Sequence, residues 1–212
     1  MPQNDLHFTW LILLRENLRL VFAQRDDVYV SADSYWYPVE GHPEESSAPD
    51  IYVVVGRPPG DRSSYLQWLE EGVAPLVTVE VLSPANYTTE GRRRLADKLE
   101  RAERFGVQEY LEIDPLFGTI SVWECQSGVM EHLGVLSRWE SARLGGVTFE
   151  SHDGALRVSG PDGVPFRTLA QSEAHAEREA ARAESEAARA DALAARADAL
   201  EQELARLRGT IA

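Results

Sequence analysis

Glu80 stands inside LVTVEVLSP, an almost continuously apolar run of the kind that forms a central strand. An ionised carboxylate in a buried strand is costly unless a cation, a metal or a proton compensates it. Asp50 poses the same question. It follows Pro49 and opens the run IYVVV, so its carboxylate sits at a strand start and can face the same cavity. The third residue is Lys98, the only lysine among 21 basic residues. Helical spacing groups it with Leu95, Ala102 and Phe105 on the apolar side, with Arg93, Arg94, Arg101 and Arg104 opposite or flanking. An inward lysine needs a carboxylate or a reacting group beside its ammonium.

Two carboxylates and an ammonium in one cavity are components for metal-assisted hydrolysis of a phosphate ester. In that chemistry Asp50 and Glu80, helped by the backbone carbonyl of Val81, hold Mg²⁺ or Mn²⁺ through oxygen, with positions left for water and a phosphate oxygen. Lys98 orients or helps deprotonate the attacking water and offsets charge building on the phosphate. Glu16, on the flank of the first helix, is a further candidate ligand through water, and Arg92, Arg93 and Arg94 are candidates for phosphate contact. Each residue also has a plainer reading: a turn aspartate, an edge-strand glutamate, a lysine stem snorkelling at a helix border, a solvated helix face. His7, His42, His132, His152 and His175 have no metal-ligand spacing and read as surface or satisfied histidines. The glycines of GRPPG and RLGG match no phosphate loop.

The elements that must position these groups follow from periodicity. Residues 5 to 24 place Leu6, Trp10, Leu13, Leu14, Leu20 and Val21 at helical spacing. Strands are expected in DVYVSADSYWYPV, IYVVV and LVTVEVLSP, separated by loops rich in Pro, Gly and Glu. A charged helix over 88–105, ended by Gly106, leads to EYLEID and GTISVWEC, joined by a turn at DPLFG. Alternation with Gly and Asp turns over 143–164 predicts a closing β-hairpin. The order of helix, strands, helix and strands makes an α/β (α+β) core over 1–167. Residues 168–212 form a separate Ala/Glu/Arg-rich tail with heptad spacing (EREAARA, ESEAARA, DALAARA). There Leu193, Ala197, Leu200, Leu204, Leu207 and Ile211 make a coiled-coil seam, which predicts a homo-oligomer.

Composition narrows the setting. A net charge of −14 excludes a protein that coats nucleic acid through a broad basic surface, so any such contact is local. Cys125 is the one cysteine, which leaves no intramolecular disulfide and fits a reducing cytoplasm. The run FTWLILL is broken at once by Arg15 and Glu16, which predicts neither a signal peptide nor a membrane span.

PD at Pro49 and Asp50, then EVL from Glu80 to Leu82, resemble the order of the PD-(D/E)XK nuclease superfamily. That pattern usually has lysine two residues after the second acid. Leu82 stands there in this chain, and Lys98 takes the part of a migrated lysine reaching in from the helix. The migrated pattern, with APDIYVVVGRPPGDRSSYLQW, EVLSPAN, KLERAERFGVQEY, SRWESARLGGVTF and GPDGVPFRT, resembles the Uma-two family of bacterial restriction endonucleases over nearly the whole chain. Family members usually have an aromatic residue where Ala102 stands and an acid where Arg94 stands. The resemblance implies a restriction-endonuclease-like core with a central mixed sheet flanked by helices, and a divalent-metal endonuclease acting on nucleic acid, DNA before RNA. The competing reading is a catalytically silent nuclease fold that serves as an interaction module, oligomerised through its tail.

Overall fold

The computed structural model describes residues 5–210, without the side chains of Asp198 and of the residues from 203 on. The chain divides into two compact units, one running to Phe166 and the other from Arg167 on. In the first unit, helix α1 (Asp5–Val21) precedes β1 (Val28–Ala32), β2 (Trp36–Tyr37), β3 (Ile51–Val55), β4 (Tyr65–Leu66) and β5 (Val77–Val81). Helix α2 (Thr89–Arg104) then leads to β6 (Glu109–Asp114), β7 (Thr119–Gln126), β8 (Val129–Leu136), β9 (Arg138–Ser141), β10 (Val147–His152) and β11 (Ala155–Ser159). The central sheet has the order β1-β3-β5-β6-β7-β8. Only β5 and β6 are parallel, joined across α2, and every other neighbouring pair is antiparallel, so the sheet is mixed. A three-stranded sheet, β11-β10-β9, and a short parallel pair, β2 with β4, complete an α+β architecture.

Two-residue alternation along the strands builds two cores. On one face Val28, Val30, Ile51, Val53, Val77, Val79, Leu111 and Ile113 meet Leu11, Leu14 and Leu18 of α1 and Phe149 and Val158 of the smaller sheet. On the other, Tyr29, Tyr52, Val54 and Tyr110 meet Ala102 and Leu99 of α2 and Phe105 just past its end. Glu80 shares its parity with Thr78 and therefore points to the α2 side. Each fully buried leucine of α1 contributes on the order of 1.5–3 kcal/mol.

The apolar face of α1 differs from the expected one. His7, Leu11, Leu14 and Leu18 are buried, whereas Leu6 and Leu20 are exposed. Counting hydrophobic residues favoured the stripe with more leucines, but the sheet selects the stripe that also holds a histidine. Strands β8 and β9 lie in a segment to which sequence periodicity assigned nothing. β8 is an edge strand with most side chains in solvent, so its alternation is weak, yet a two-residue turn fixes it. Ser127 (φ 54°) and Gly128 (φ 87°) supply the two left-handed residues such a hairpin turn requires. The predicted hairpin over 143–164 is the β10–β11 pair, with Asp153 and Gly154 in the same kind of turn.

The second unit is helix α3 (Leu169–Thr210), 42 residues, about 60 Å at 1.5 Å per residue. A reciprocal cap starts it: the Thr168 amide donates to Gln171 Oε1 (2.9 Å) and the Gln171 amide to Thr168 Oγ1 (3.3 Å). Of the expected seam, Leu193 and Leu200 are exposed, at 62% and 55%. Ile211 and the side chains of Leu204 and Leu207 lie outside the described residues. Among the described residues no helix is long and apolar enough to cross a membrane.

Candidate active site

A cavity of about 340 Å³ opens between the end of β5, the start of β3 and helix α2, and Asp50, Glu80 and Lys98 all line it. Asp50 stands just before β3, with its backbone carbonyl accepting from the Asp33 amide across the turn after β1. One carboxylate oxygen, Oδ2, accepts from the Val81 amide at 2.8 Å and lies 3.0 Å from His7 Nε2. With Asp50 ionised, that second contact requires Nε2 to carry the proton. The Val81 N–H thus holds the Asp50 carboxylate in place.

Glu80 is 2% exposed, and its Oε2 accepts from Lys98 Nζ at 2.5 Å. Its other oxygen, Oε1, is buried and has no hydrogen-bond partner among the described residues. Burial pushes the Glu80 carboxyl up to about 8; the Lys98 ammonium opposes that shift and the Asp50 charge adds to it. Burial also works against the Lys98 ammonium, but Glu80 and Asp50 outweigh it and hold its pKa above the ordinary lysine value. Lys98 therefore stays charged, and Glu80 is the group whose ionisation this environment makes expensive.

Helix α2 sets the height of Lys98 over the sheet. Thr88 caps it, accepting from the Gly91 amide at 3.0 Å. Gly91 permits a close approach to the turn of residues 84–87: a Cβ there would lie 2.1 Å from the Ala85 carbonyl oxygen. Any side chain at 91 would lift the helix and with it Lys98. At the same level of the sheet Glu112 of β6 is the register partner of Glu80 and faces the same way. Burial raises its pKa while Arg92, 3.8 Å away, lowers it.

Asp50, Glu80 and Lys98 are brought together, and Arg94 lines the same cavity while its Nε donates to Glu90 at 3.1 Å. Arg93 is held by Glu90 and Asp97. Glu16 is not at this cavity. It lines a separate groove between α1 and β1, where Arg15 donates to it at 2.6 Å. His7 is the participant that sequence reasoning set aside. Its signal was the spacing His7, Leu11, Leu14, Leu18, which makes it the one polar member of a buried stripe. Replacing His7 by alanine removes a hydrogen bond that fixes one ligand candidate. We expect roughly tenfold weaker Mn²⁺ binding in a calorimetric titration and a thermal midpoint lowered by the loss of about 1–3 kcal/mol.

The oxygen chemistry suits a hard divalent cation. An orphaned buried oxygen on Glu80 and a carboxylate of Asp50 anchored through a single oxygen leave donors of the type Mg²⁺ and Mn²⁺ accept. Among the described residues no group of three His, Cys, Asp or Glu side chains is placed to hold a metal alone.

The profile of the Uma2 (Uma-two) family, described as "Putative restriction endonuclease", matches residues 1–148. No curated protein matches. Among solved structures, a crystal structure described as "a putative nuclease belonging to DUF820" from Anabaena variabilis superposes with a TM-score of 0.45. The identity is 20%, over 63% of this chain and 69% of that one.

Proposed function

Because the chain belongs to the Uma2 family, we propose that it is a divalent-metal-dependent endonuclease that hydrolyses nucleic-acid phosphodiester bonds, with Asp50, Glu80 and Lys98 as its catalytic residues. The observation that carries this reading is the contact of Lys98 Nζ with Glu80 Oε2 in a cavity that Asp50 also lines. Asp50 and Glu80, with the backbone carbonyl of Val81, would hold Mg²⁺ or Mn²⁺. When bound, the ion supplies Lewis-acid polarisation and charge neutralisation at the phosphate.

The protein's own groups do the rest. Val81 and His7 fix the rotamer of Asp50 by contacting one carboxylate oxygen, so that its other oxygen would be the one to meet the ion. Lys98 is held by Glu80 with donors to spare, so it can orient a water against the phosphorus and hydrogen-bond to a non-bridging oxygen. As the water oxygen bonds phosphorus and gives up a proton to solvent, the bond to the leaving sugar oxygen breaks and that oxygen takes up a proton from solvent; the negative charge that builds on the phosphate does so where the ammonium already stands. Arg94 lines the cavity and is the phosphate-contacting arginine of this reading, with DNA as the substrate. The experiment is cleavage of single- and double-stranded DNA and RNA with Mg²⁺, Mn²⁺ or EDTA, wild type against Asp50→Asn. Metal-dependent products from wild type alone support the reading, and their absence on all substrates removes it.

The net charge of −14 favours a second reading, a silent nuclease fold acting as an interaction module. Both readings share a tail that self-associates. The exposed Leu193 and Leu200 on α3 lie seven apart, the repeat of a coiled-coil seam, and an isolated helix of that composition has little else to bury. A protein ending at Arg167 should keep the near-ultraviolet circular dichroism of the full chain and sediment as a smaller oligomer. A truncated protein that unfolds, or one with unchanged oligomeric state, would overturn the boundary or the seam respectively.

A further inference from the structure

Beside the carboxylate cavity lies a surface the proposed chemistry does not use. Tyr87 and Phe117 are 43% and 59% exposed, and their rings meet edge to face with centroids 5.9 Å apart. Neither ring belongs to a buried cluster, so the pair is not held there by the core. Both rings are carried on braced backbone. Tyr87 ends the turn of residues 84–87, in which Asn86 Oδ1 accepts from the Ser83 amide at 2.7 Å and from its hydroxyl at 2.9 Å. Phe117 sits in the β6–β7 turn, where Asp114 Oδ1 accepts from the Leu116 and Phe117 amides at 2.8 and 3.1 Å. The guanidinium of Arg92 lies over one face of the Tyr87 ring, 5.0 Å from its centroid, and 3.8 Å from Glu112, so a base would have to stack on the rest of the Tyr87–Phe117 surface.

The surface is continuous with the site. Ser83 lines both the cavity of Asp50, Glu80 and Lys98 and a smaller one of about 180 Å³ walled by Tyr87, Pro84, Leu82 and Leu116. That volume falls below the roughly 300–1,000 Å³ of a site for a drug-sized ligand, and it suits one planar ring. Ala85 and Asn86, from the turn that carries Tyr87, line the larger cavity too. Tyr87 therefore adjoins the cavity in which a phosphate would meet Lys98, and Arg92 lies against its ring.

We propose that Tyr87 and Phe117 form a stacking platform for an unpaired nucleobase next to the scissile phosphate, with Arg92 contacting the adjoining phosphate. This inference rests on the nuclease reading and adds its substrate class: nucleic acid with unpaired bases at the cut, single strands, flaps and junctions, in preference to continuous duplex. Bases inside a duplex are paired and stacked on each other, so they cannot lie on Tyr87 without being extruded. Stacking on an aromatic ring tolerates any base, which makes the selectivity one of strandedness and not of sequence.

The test uses the full-length protein and a short single-stranded DNA containing 2-aminopurine, titrated in Ca²⁺ and read by fluorescence and anisotropy. Wild type and Tyr87→Phe should quench the probe. Tyr87→Ala and the Tyr87→Ala/Phe117→Ala pair should not, and should bind about 5- to 100-fold more weakly. On a strand with abasic positions, wild type and alanine variants should bind alike. Equal quenching and affinity in folded Tyr87→Ala, or no binding by wild type, overturns the platform. Cleavage separates the two ideas. Metal-dependent cutting with the same KM and strand preference in Tyr87→Ala removes the platform and leaves the nuclease. Tyr87-dependent quenching by a wild type that cuts nothing removes the nuclease and leaves a single-strand-binding surface.

Discussion

Lys98→Arg is expected to lose metal-dependent cleavage nearly as completely as Lys98→Ala, by roughly 10²–10³-fold in kcat, with the fold intact. The charge survives in the arginine variant, so a purely electrostatic role predicts substantial activity. The structure predicts otherwise. Lys98 reaches a carboxylate 2% exposed through a compact ammonium at 2.5 Å, and its remaining donors face a cavity bounded by α2 and the turn of residues 84–87. A planar guanidinium is wider and directs its donors in a fixed fork, so it cannot place a donor where the compact, rotatable ammonium does. Substitutions at Arg92 or Arg94 should instead weaken substrate binding and flatten its salt dependence. The measurement is single-turnover cleavage by each folded variant. Full activity in Lys98→Arg would remove lysine-specific chemistry.

Metal should stabilise the protein in a pH-dependent manner that requires Glu80. Burial lifts the folded-state pKa of Glu80 from 4.5 to about 8. Between those values the unfolded chain has released a proton that the folded chain retains. The native state then binds more protons, and the stability of the metal-free protein falls as pH rises from 4.5 to about 8. A cation that needs the ionised carboxylate competes with that proton, so its affinity rises across the same window and levels off above it. At about 100 times its Kd, bound Mn²⁺ adds about 2.7 kcal/mol, or roughly 5–10 °C in Tm for a chain of this size. The shift should be small at pH 5.5, grow to its full size near pH 8.5, and be absent from Glu80→Gln at every pH. Scanning calorimetry with and without Mn²⁺ reads all three, and a Glu80→Gln protein stabilised like wild type would place the ion elsewhere.

The strands and helices that carry Asp50, Glu80 and Lys98 were legible because burial on both faces leaves long apolar runs in β3 and β5, while α2 pairs a hydrophobic stripe with arginines. A charged residue inside such a run is conspicuous against its neighbours, and a single lysine among arginines equally so. The weakly patterned edges were not legible. β8 exposes most of its side chains, so no burial constraint shapes its sequence. His7 was lost for a different reason. The face of α1 that packs on the sheet is chosen by the partner surface, and the partner of His7, Asp50, is 43 residues away. Glu112 is hidden in the same way, since nothing in one strand announces that its register partner in the next is also an acid. Tyr87 and Phe117 come from two turns far apart in the chain, and only the tertiary fold makes them neighbours.

The most direct test of the account is the fate of circular single-stranded DNA, which has no ends and opens only by internal cleavage. Incubated with Mn²⁺, wild-type protein should convert the circle to linear strands, EDTA should stop the conversion, and Lys98→Arg should leave the circle closed over the same time. Single-stranded and covalently closed duplex circles that both stay closed with wild type in Mn²⁺, or single-stranded circles that open equally in EDTA or with Lys98→Arg, would contradict a metal-dependent endonuclease built on Asp50, Glu80 and Lys98.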